Sequence, residues 1–141
     1  MIYLDTSVAS PLFVSEPASS RIDAWFAACD APLVSSDWMF TEFASALSIK
    51  TRTGALTARN ANAVWRSFEE FCRAGVRLAA VSRRAFAEAA LLARHPAYRL
   101  RAGDALHLAV AREIGARNVA TLDDVMAANA RRLKMKVVAF L

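Results

Sequence analysis

The chain has 141 residues, of which 56% are hydrophobic and 22% charged; this excludes an intrinsically disordered chain and is enough for one buried core. Alanine supplies 31 of the residues, so the apolar content favours helices over a membrane span. Eighteen Lys and Arg against 13 Asp and Glu leave a net charge of +5, which points to an anionic partner such as nucleic acid.

Ile2 to Leu4 reads as a first strand, closed by Asp5. Thr6 to Val14 is expected to be helical and broken near Pro11. That uncharged stretch, Thr6 to Ser15, is the longest in the chain, far short of the ~20 apolar residues a transmembrane helix needs. The N-terminus has no basic segment before its apolar start, so no export signal is read and a cytoplasmic location is expected. Glu16 to Cys29 is expected to be a helix with Ile22, Trp25 and Phe26 on one face. Leu33 to Ser35 reads as a second strand.

Asp37 is expected to cap the next helix through its carboxylate, in which Phe40, Phe43, Ala44 and Leu47 follow helical spacing up to Gly54. Thr57 caps a further helix with Val64, Phe68, Phe71 and Cys72 on one side. Gly75 stands where a left-handed residue commonly ends a helix. Val76 to Val81 reads as a third strand, with Val76, Leu78 and Ala80 on one face. Ser82 caps a helix to about Arg94, stopped by His95-Pro96. Tyr98 to Gly103 is expected to be a loop, and Asp104 to Ile114 a helix that is apolar almost all round and therefore buried on several sides. Val119 to Leu122, Asp124 to Leu133 and Val137 to Leu141 read as strand, helix and strand. Cys29 and Cys72 lack metal or redox spacing and read as buried small hydrophobes.

No linker, repeat or low-complexity segment interrupts residues 1–141, which are expected to form one domain. Alternating strands and helices imply an α/β fold: a three-layer α/β/α sandwich around a mostly parallel sheet of about five short strands. In such sheets ligands bind beyond the carboxyl ends of the strands. Asp5, Glu42, Asp104 and Asp123 all fall at or close to that edge. Four carboxylates in one pocket repel one another. A hard divalent cation relieves the repulsion, and Mg²⁺, or Mn²⁺ in its place, suits oxygen ligands and phosphate substrates. Setting these four acids aside leaves 18 basic against 9 acidic residues. A basic body around an acidic pocket suits a nucleic acid whose phosphates the basic residues hold.

The segments Met1-Ile-Tyr-Leu-Asp5-Thr-Ser7, Thr41-Glu42-Phe-Ala-Ser-Ala-Leu47, Gly103-Asp-Ala-Leu-His-Leu-Ala109 and Ala120-Thr-Leu-Asp123 resemble, in order and spacing, the motifs of PIN-domain proteins. Length and ending resemble the VapC-type toxins of type II toxin–antitoxin modules. That resemblance implies a Mg²⁺-dependent endoribonuclease that hydrolyses RNA through a metal-bound water and leaves a 5′-phosphate and a 3′-hydroxyl. It implies a homodimer inhibited by a small cognate antitoxin, and a metal site carried by Asp5, Glu42, Asp104 and Asp123. Thr6 and Thr121 match small polar positions that hold waters or orient carboxylates. The neighbouring Asp124 reads as the N-cap of the last helix, with the metal site as its other reading.

Other residues keep two readings. His107, three residues after Asp104, reads as a satisfied core or rim histidine rather than a general base. Arg99 and Arg101 contact RNA phosphates or are simply solvated. Trp38 reads as packing rather than as a base-stacking platform, and Trp25 and Trp65 as core or interface. The competing function is a PIN-fold nucleic-acid-binding or regulatory module with little turnover, against which four converging carboxylates argue. A receiver domain would need an acceptor Asp where Ala80-Val81-Ser82 stands. A haloacid-dehalogenase-type phosphatase would need a second Asp where Ser7 stands.

Overall fold

A computed structural model describes residues 1–141. Five strands, β1 (Ile2–Leu4), β2 (Leu33–Ser36), β3 (Val76–Ala79), β4 (Asn118–Ala120) and β5 (Lys136–Val137), form one sheet in the order β3-β2-β1-β4-β5. All four pairings are parallel. Seven α-helices connect them: α1 (Thr6–Phe13), α2 (Ser19–Ala27), α3 (Trp38–Arg52), α4 (Ala58–Gly75), α5 (Arg83–Ala93), α6 (Ala102–Glu113) and α7 (Asp124–Arg132). No helix is long and apolar enough to cross a membrane.

Strand period builds the three layers. Tyr3, Val34 and Val119 point to one face, where they join a core with Ala85, Ala89, Leu106, Val110 and Met126 of α5, α6 and α7. Leu4, Leu33 and Ala120 point to the other, where they meet Val8, Ile22, Phe43 and Phe68 of α1 to α4. Strands apolar on both faces are what a parallel sheet covered by helices requires. The second core is rich in aromatic rings: Phe43 and Phe68 stack at 3.8 Å and Phe13 meets both edge-on at 5.9 Å. Each fully buried Phe contributes about 1.5–3 kcal/mol. These contacts fix α3, whose buried Met39, Phe43 and Leu47 leave Glu42 half-buried beside them.

Several local expectations are corrected. Helix α1 runs unbroken through Pro11; a proline in its second turn forfeits only the bond to the Ser7 carbonyl. Helix α2 begins at Ser19 instead of Glu16, after Pro17, and Phe26 is exposed while Ile22 is buried. Asp37 makes no side-chain cap: its backbone is already helical (φ −56°, ψ −24°), whereas a capping residue needs extended geometry. Gly75 is the last residue of α4 without a left-handed φ, because the chain passes directly into β3. Strand β3 stops at Ala79, two residues earlier than expected. Helix α6 begins at Ala102, so Gly103 and Asp104 lie inside its first turn instead of before it. Thr57 and Ser82 do cap α4 and α5, accepting from the Asn60 and Ala85 amides.

Candidate metal centre

The sheet order reverses between β1 and β4, because the chain runs outward from β1 to β3 and then crosses back to β4. Crevices at such a reversal bind ligands. Leu4 pairs with Ala120, and the Asp5 amide donates to the Ala120 carbonyl at 3.0 Å. Asp5 and Thr121 therefore leave the sheet side by side.

Asp5 precedes α1 yet makes no capping bond. Its Oδ2 accepts from Ser7 Oγ at 2.5 Å and from Thr121 Oγ1 at 2.7 Å. Ser7 Oγ in turn accepts the Leu122 amide at 2.9 Å. The three residues Asp5-Thr6-Ser7 thus divide the work: an acid, a hydroxyl for Glu42 and a hydroxyl for the acid itself. Thr6 Oγ1 donates to Glu42 Oε2 at 2.6 Å.

Asp123 is the N-cap of α7: its Oδ1 accepts the Met126 amide at 2.7 Å. This corrects the expectation that Asp124 caps the helix. Asp124 is its first residue, exposed, and does not line the acidic pocket. Asp104, the third residue of α6, accepts no hydrogen bond from any side chain and caps nothing, since Arg101 holds the cap position.

Asp5, Glu42, Asp104 and Asp123, with Thr6 and Ser7, line one pocket of about 200 Å³ that contains no apolar side chain and no Lys or Arg. Burial and the nearby Asp123, Asp5 and Glu42 charges push the Asp104 carboxyl up to about 6 from its ordinary 3.8, against a smaller opposing effect of His107. Glu42 moves the other way. Burial raises it, but the hydrogen bond and charge of His107, with the hydrogen bond from Thr6 and the nearby Trp38 indole N–H, outweigh burial and hold it below its ordinary value. Burial likewise opposes the charge on His107, and Glu42, Asp5 and Asp104 overcome it to raise its pKa.

The donor set fits a hard divalent cation. It consists of carboxylate oxygens, and one of them, Asp104, is half-buried among like charges that the smaller opposing effect of His107 does not offset. His107 Nε2 lies close to Asp5 and Glu42 oxygens, but it is committed to Glu42 Oε2 at 2.6 Å, which leaves oxygens as the free donors.

Two grooves flank the pocket. One, of about 410 Å³, is lined by Ser7, Ser10, Glu16, Lys50, Asp123 and their neighbours. The other, of about 460 Å³, is lined by Trp38, Thr41, Glu42, Ser45, Ile49, Arg101 and Ala46. Arg101 therefore stands at the site. Arg99 is exposed in a left-handed turn (φ 54°) and lines neither groove. Trp38 is half-buried, packed on the α5–α7 core, with its indole N–H buried beside Glu42.

Sequence reasoning passed over Lys50, Ser7 and Gly103. Lys50 was legible: Glu42, Ala46 and Lys50 recur every four residues and so share one face of α3. Its amine reaches the groove held by Glu16 at 3.0 Å. A cationic side chain that binds RNA phosphates contributes salt-dependent affinity. For the nucleic-acid partner that the sequence leads one to expect, Lys50→Ala and Arg101→Ala are each expected to weaken binding and to lower the slope of log affinity against log salt by about 0.7 for each phosphate no longer neutralised. A fluorescence-anisotropy titration of single-stranded RNA at several salt concentrations checks this.

The PIN domain family profile matches residues 2–132. A search of curated proteins finds no match. Solved structures with this fold include the Mycobacterium tuberculosis VapC20 toxin, described as cleaving the sarcin–ricin loop. It is 22% identical, with 92% of this chain and 95% of that one covered and a TM-score of 0.73. FitAcB from Neisseria gonorrhoeae is 20% identical, with coverage of 99% and 97% and a TM-score of 0.67. FitAB bound to the IR36 DNA fragment is 21% identical, with coverage of 98% and 94% and a TM-score of 0.69.

Proposed function

The chain belongs to the PIN domain family, and from that premise we propose that it is a Mg²⁺-dependent endoribonuclease, the toxin of a toxin–antitoxin pair. The observation that carries this reading is the convergence of four carboxylates from four separate chain segments on one pocket without a basic residue in its lining. A purely binding surface gives no reason to accept that repulsion, whereas a divalent cation converts it into ligand affinity.

In this reading Asp5, Glu42, Asp104 and Asp123 hold the cation, with Mn²⁺ able to replace Mg²⁺. When bound, the ion polarises the phosphodiester and makes water a better nucleophile at neutral pH. The chain's own part is placement. Ser7 and Thr121 orient Asp5, Thr6 orients Glu42, and the Met126 amide fixes one oxygen of Asp123. Lys50 and Arg101, in grooves on either side, hold phosphates that flank the scissile bond, so the strand crosses the acidic pocket. Residues 1–141 form the nuclease domain, acting in the cytoplasm as a homodimer. A cognate antitoxin inhibits it by covering the site and placing a Lys or Arg among the four acids. The likeness to VapC20 and FitAB supports the toxin–antitoxin assignment.

The test is cleavage of total RNA by antitoxin-free protein with Mg²⁺, with chelator, and with Asp5→Asn folded to the same degree. Discrete fragments are expected only for the parent with Mg²⁺. Cleavage that survives Asp5→Asn would reject the assigned site. A folded parent that binds RNA but never cuts it would favour the binding-module reading.

A further inference from the structure

His107 is fully buried, with 0% exposure, and joins side chains from three other elements. It stands on α6 one turn beyond Asp104, behind the acidic pocket, and does not line it. Its Nε2 lies 2.6 Å from Glu42 Oε2 and 3.3 Å from Thr6 Oγ1, with Asp5 Oδ1 at 3.6 Å. Its Nδ1 lies 2.8 Å from the Tyr3 hydroxyl, which is itself 3.1 Å from Ser36 Oγ. A carboxylate oxygen and a bare ring nitrogen at 2.6 Å would both be acceptors, so Nε2 carries the proton and donates. Glu42 Oε2 thereby receives two donors, from His107 and Thr6, while Oε1 lies against Gly103.

We propose that His107 is a positioning residue: backed by Tyr3, its Nε2–H locks the Glu42 carboxylate in the one orientation that serves the cation site. The strands supply the backing, since Tyr3 of β1 and Ser36 at the end of β2 are both buried beneath α6. A freely rotating glutamate on α3 would lose conformational entropy each time it met an ion. One already held by a buried donor has lost it on folding. This inference rests on the cation-site reading above and assigns the histidine no contact with the ion or with RNA.

The test uses two variants and one measurement that needs no metal. In metal-free protein, ¹⁵N-edited NMR should show a slowly exchanging imidazole Nε2–H of His107 that shifts on Glu42→Gln. His107→Leu should weaken Mn²⁺ binding, read by electron paramagnetic resonance, and RNA cleavage by about 10–100-fold each. His107→Gln, whose amide nitrogen can donate from the place of Nε2, should recover much of both. The proposal is overturned if no protected imidazole proton exists or if it ignores Glu42→Gln. It is equally overturned if folded His107→Leu stays within about twofold of the parent, or if Gln is as impaired as Leu, which would mark a packing role only. A parent that shows the coupled proton yet neither binds Mn²⁺ nor cuts RNA overturns the cation-site reading instead, so the two failures are distinguishable.

Discussion

Asp104→Asn is expected to abolish RNA cleavage while stabilising the metal-free protein. Removing one carboxylate from the proposed cation site should lower kcat/KM by about a thousandfold or more, or ~4 kcal/mol of transition-state stabilisation. The stability effect has the opposite sign because the Asp104 carboxyl accepts no compensating side-chain hydrogen bond and faces Asp5, Glu42 and Asp123. Its folded-state pKa of about 6 lies above the ordinary 3.8. Between those values the native state holds a proton that the unfolded state has released. Stability from this group is therefore complete below pH 3.8 and is lost as pH rises through about 6. Solvent screening at a half-exposed carboxyl reduces the contribution to about 1 kcal/mol. The neutral asparagine should raise the metal-free Tm at pH 7 by about 3–5 °C and remove this part of the pH dependence. Saturating Mg²⁺ should stabilise the parent, by about 2.7 kcal/mol at a hundredfold excess over Kd, and the variant much less. Thermal melts from pH 4 to 8, with Mg²⁺ and with chelator, check all of this. A variant that melts below the metal-free parent at pH 7 would contradict the electrostatic account.

Gly103→Ala is expected to lower cleavage by about a hundredfold or more, although it adds only one methyl group. Helix propensity predicts a gain of up to ~1 kcal/mol for alanine in place of glycine in α6. The packing predicts a loss. A Cβ at Gly103 would stand 2.5 Å from Glu42 Oε1 and 3.0 Å from the Trp38 indole nitrogen. Glutamate tips usually yield at little cost, but this one is held by Thr6 and His107 at 2.6 Å each. Either Glu42 gives up those partners or α6 moves, and Asp104, the next residue, moves with it. Overpacking of this kind costs about 1–3 kcal/mol, so the net stability change is expected to be a loss. Tm, Mn²⁺ affinity and RNA cleavage should all fall together. An alanine variant that is more stable and fully active would show that α3 and α6 do not press on each other here.

Much of the candidate site was legible because its parts are local. Asp5 after an apolar run, Glu42 beside a phenylalanine stripe and Asp123 after a second apolar run each announce a carboxylate at a strand end or on a buried helix. Apolar runs alternating with helical periodicity also implied the layered α/β fold, since a parallel sheet must be covered on both faces. What a single segment could not carry was decided by contacts between segments. Whether Asp123 or Asp124 caps α7 depends on the backbone angle at which the chain leaves β4, and both residues are capable caps in isolation. The difference between Arg99 and Arg101 is a left-handed turn against the start of α6. The need for glycine at 103 arises from a glutamate 61 positions earlier.

His107 shows the division most plainly. From the sequence it is a histidine on an apolar helix, and a satisfied core residue is the natural reading. It is a core residue, yet its partners come from β1, α1 and α3, 104, 101 and 65 residues away. By itself the sequence determined which residues carry charge, which faces are apolar and in what order strands and helices follow. The tertiary structure alone decided which acid stays unpaired, which is clamped and which caps a helix with one of its two oxygens. Those properties are set by distances of a few ångströms between groups that only the sheet brings together, and in a buried site such distances govern both hydrogen bonding and ionisation.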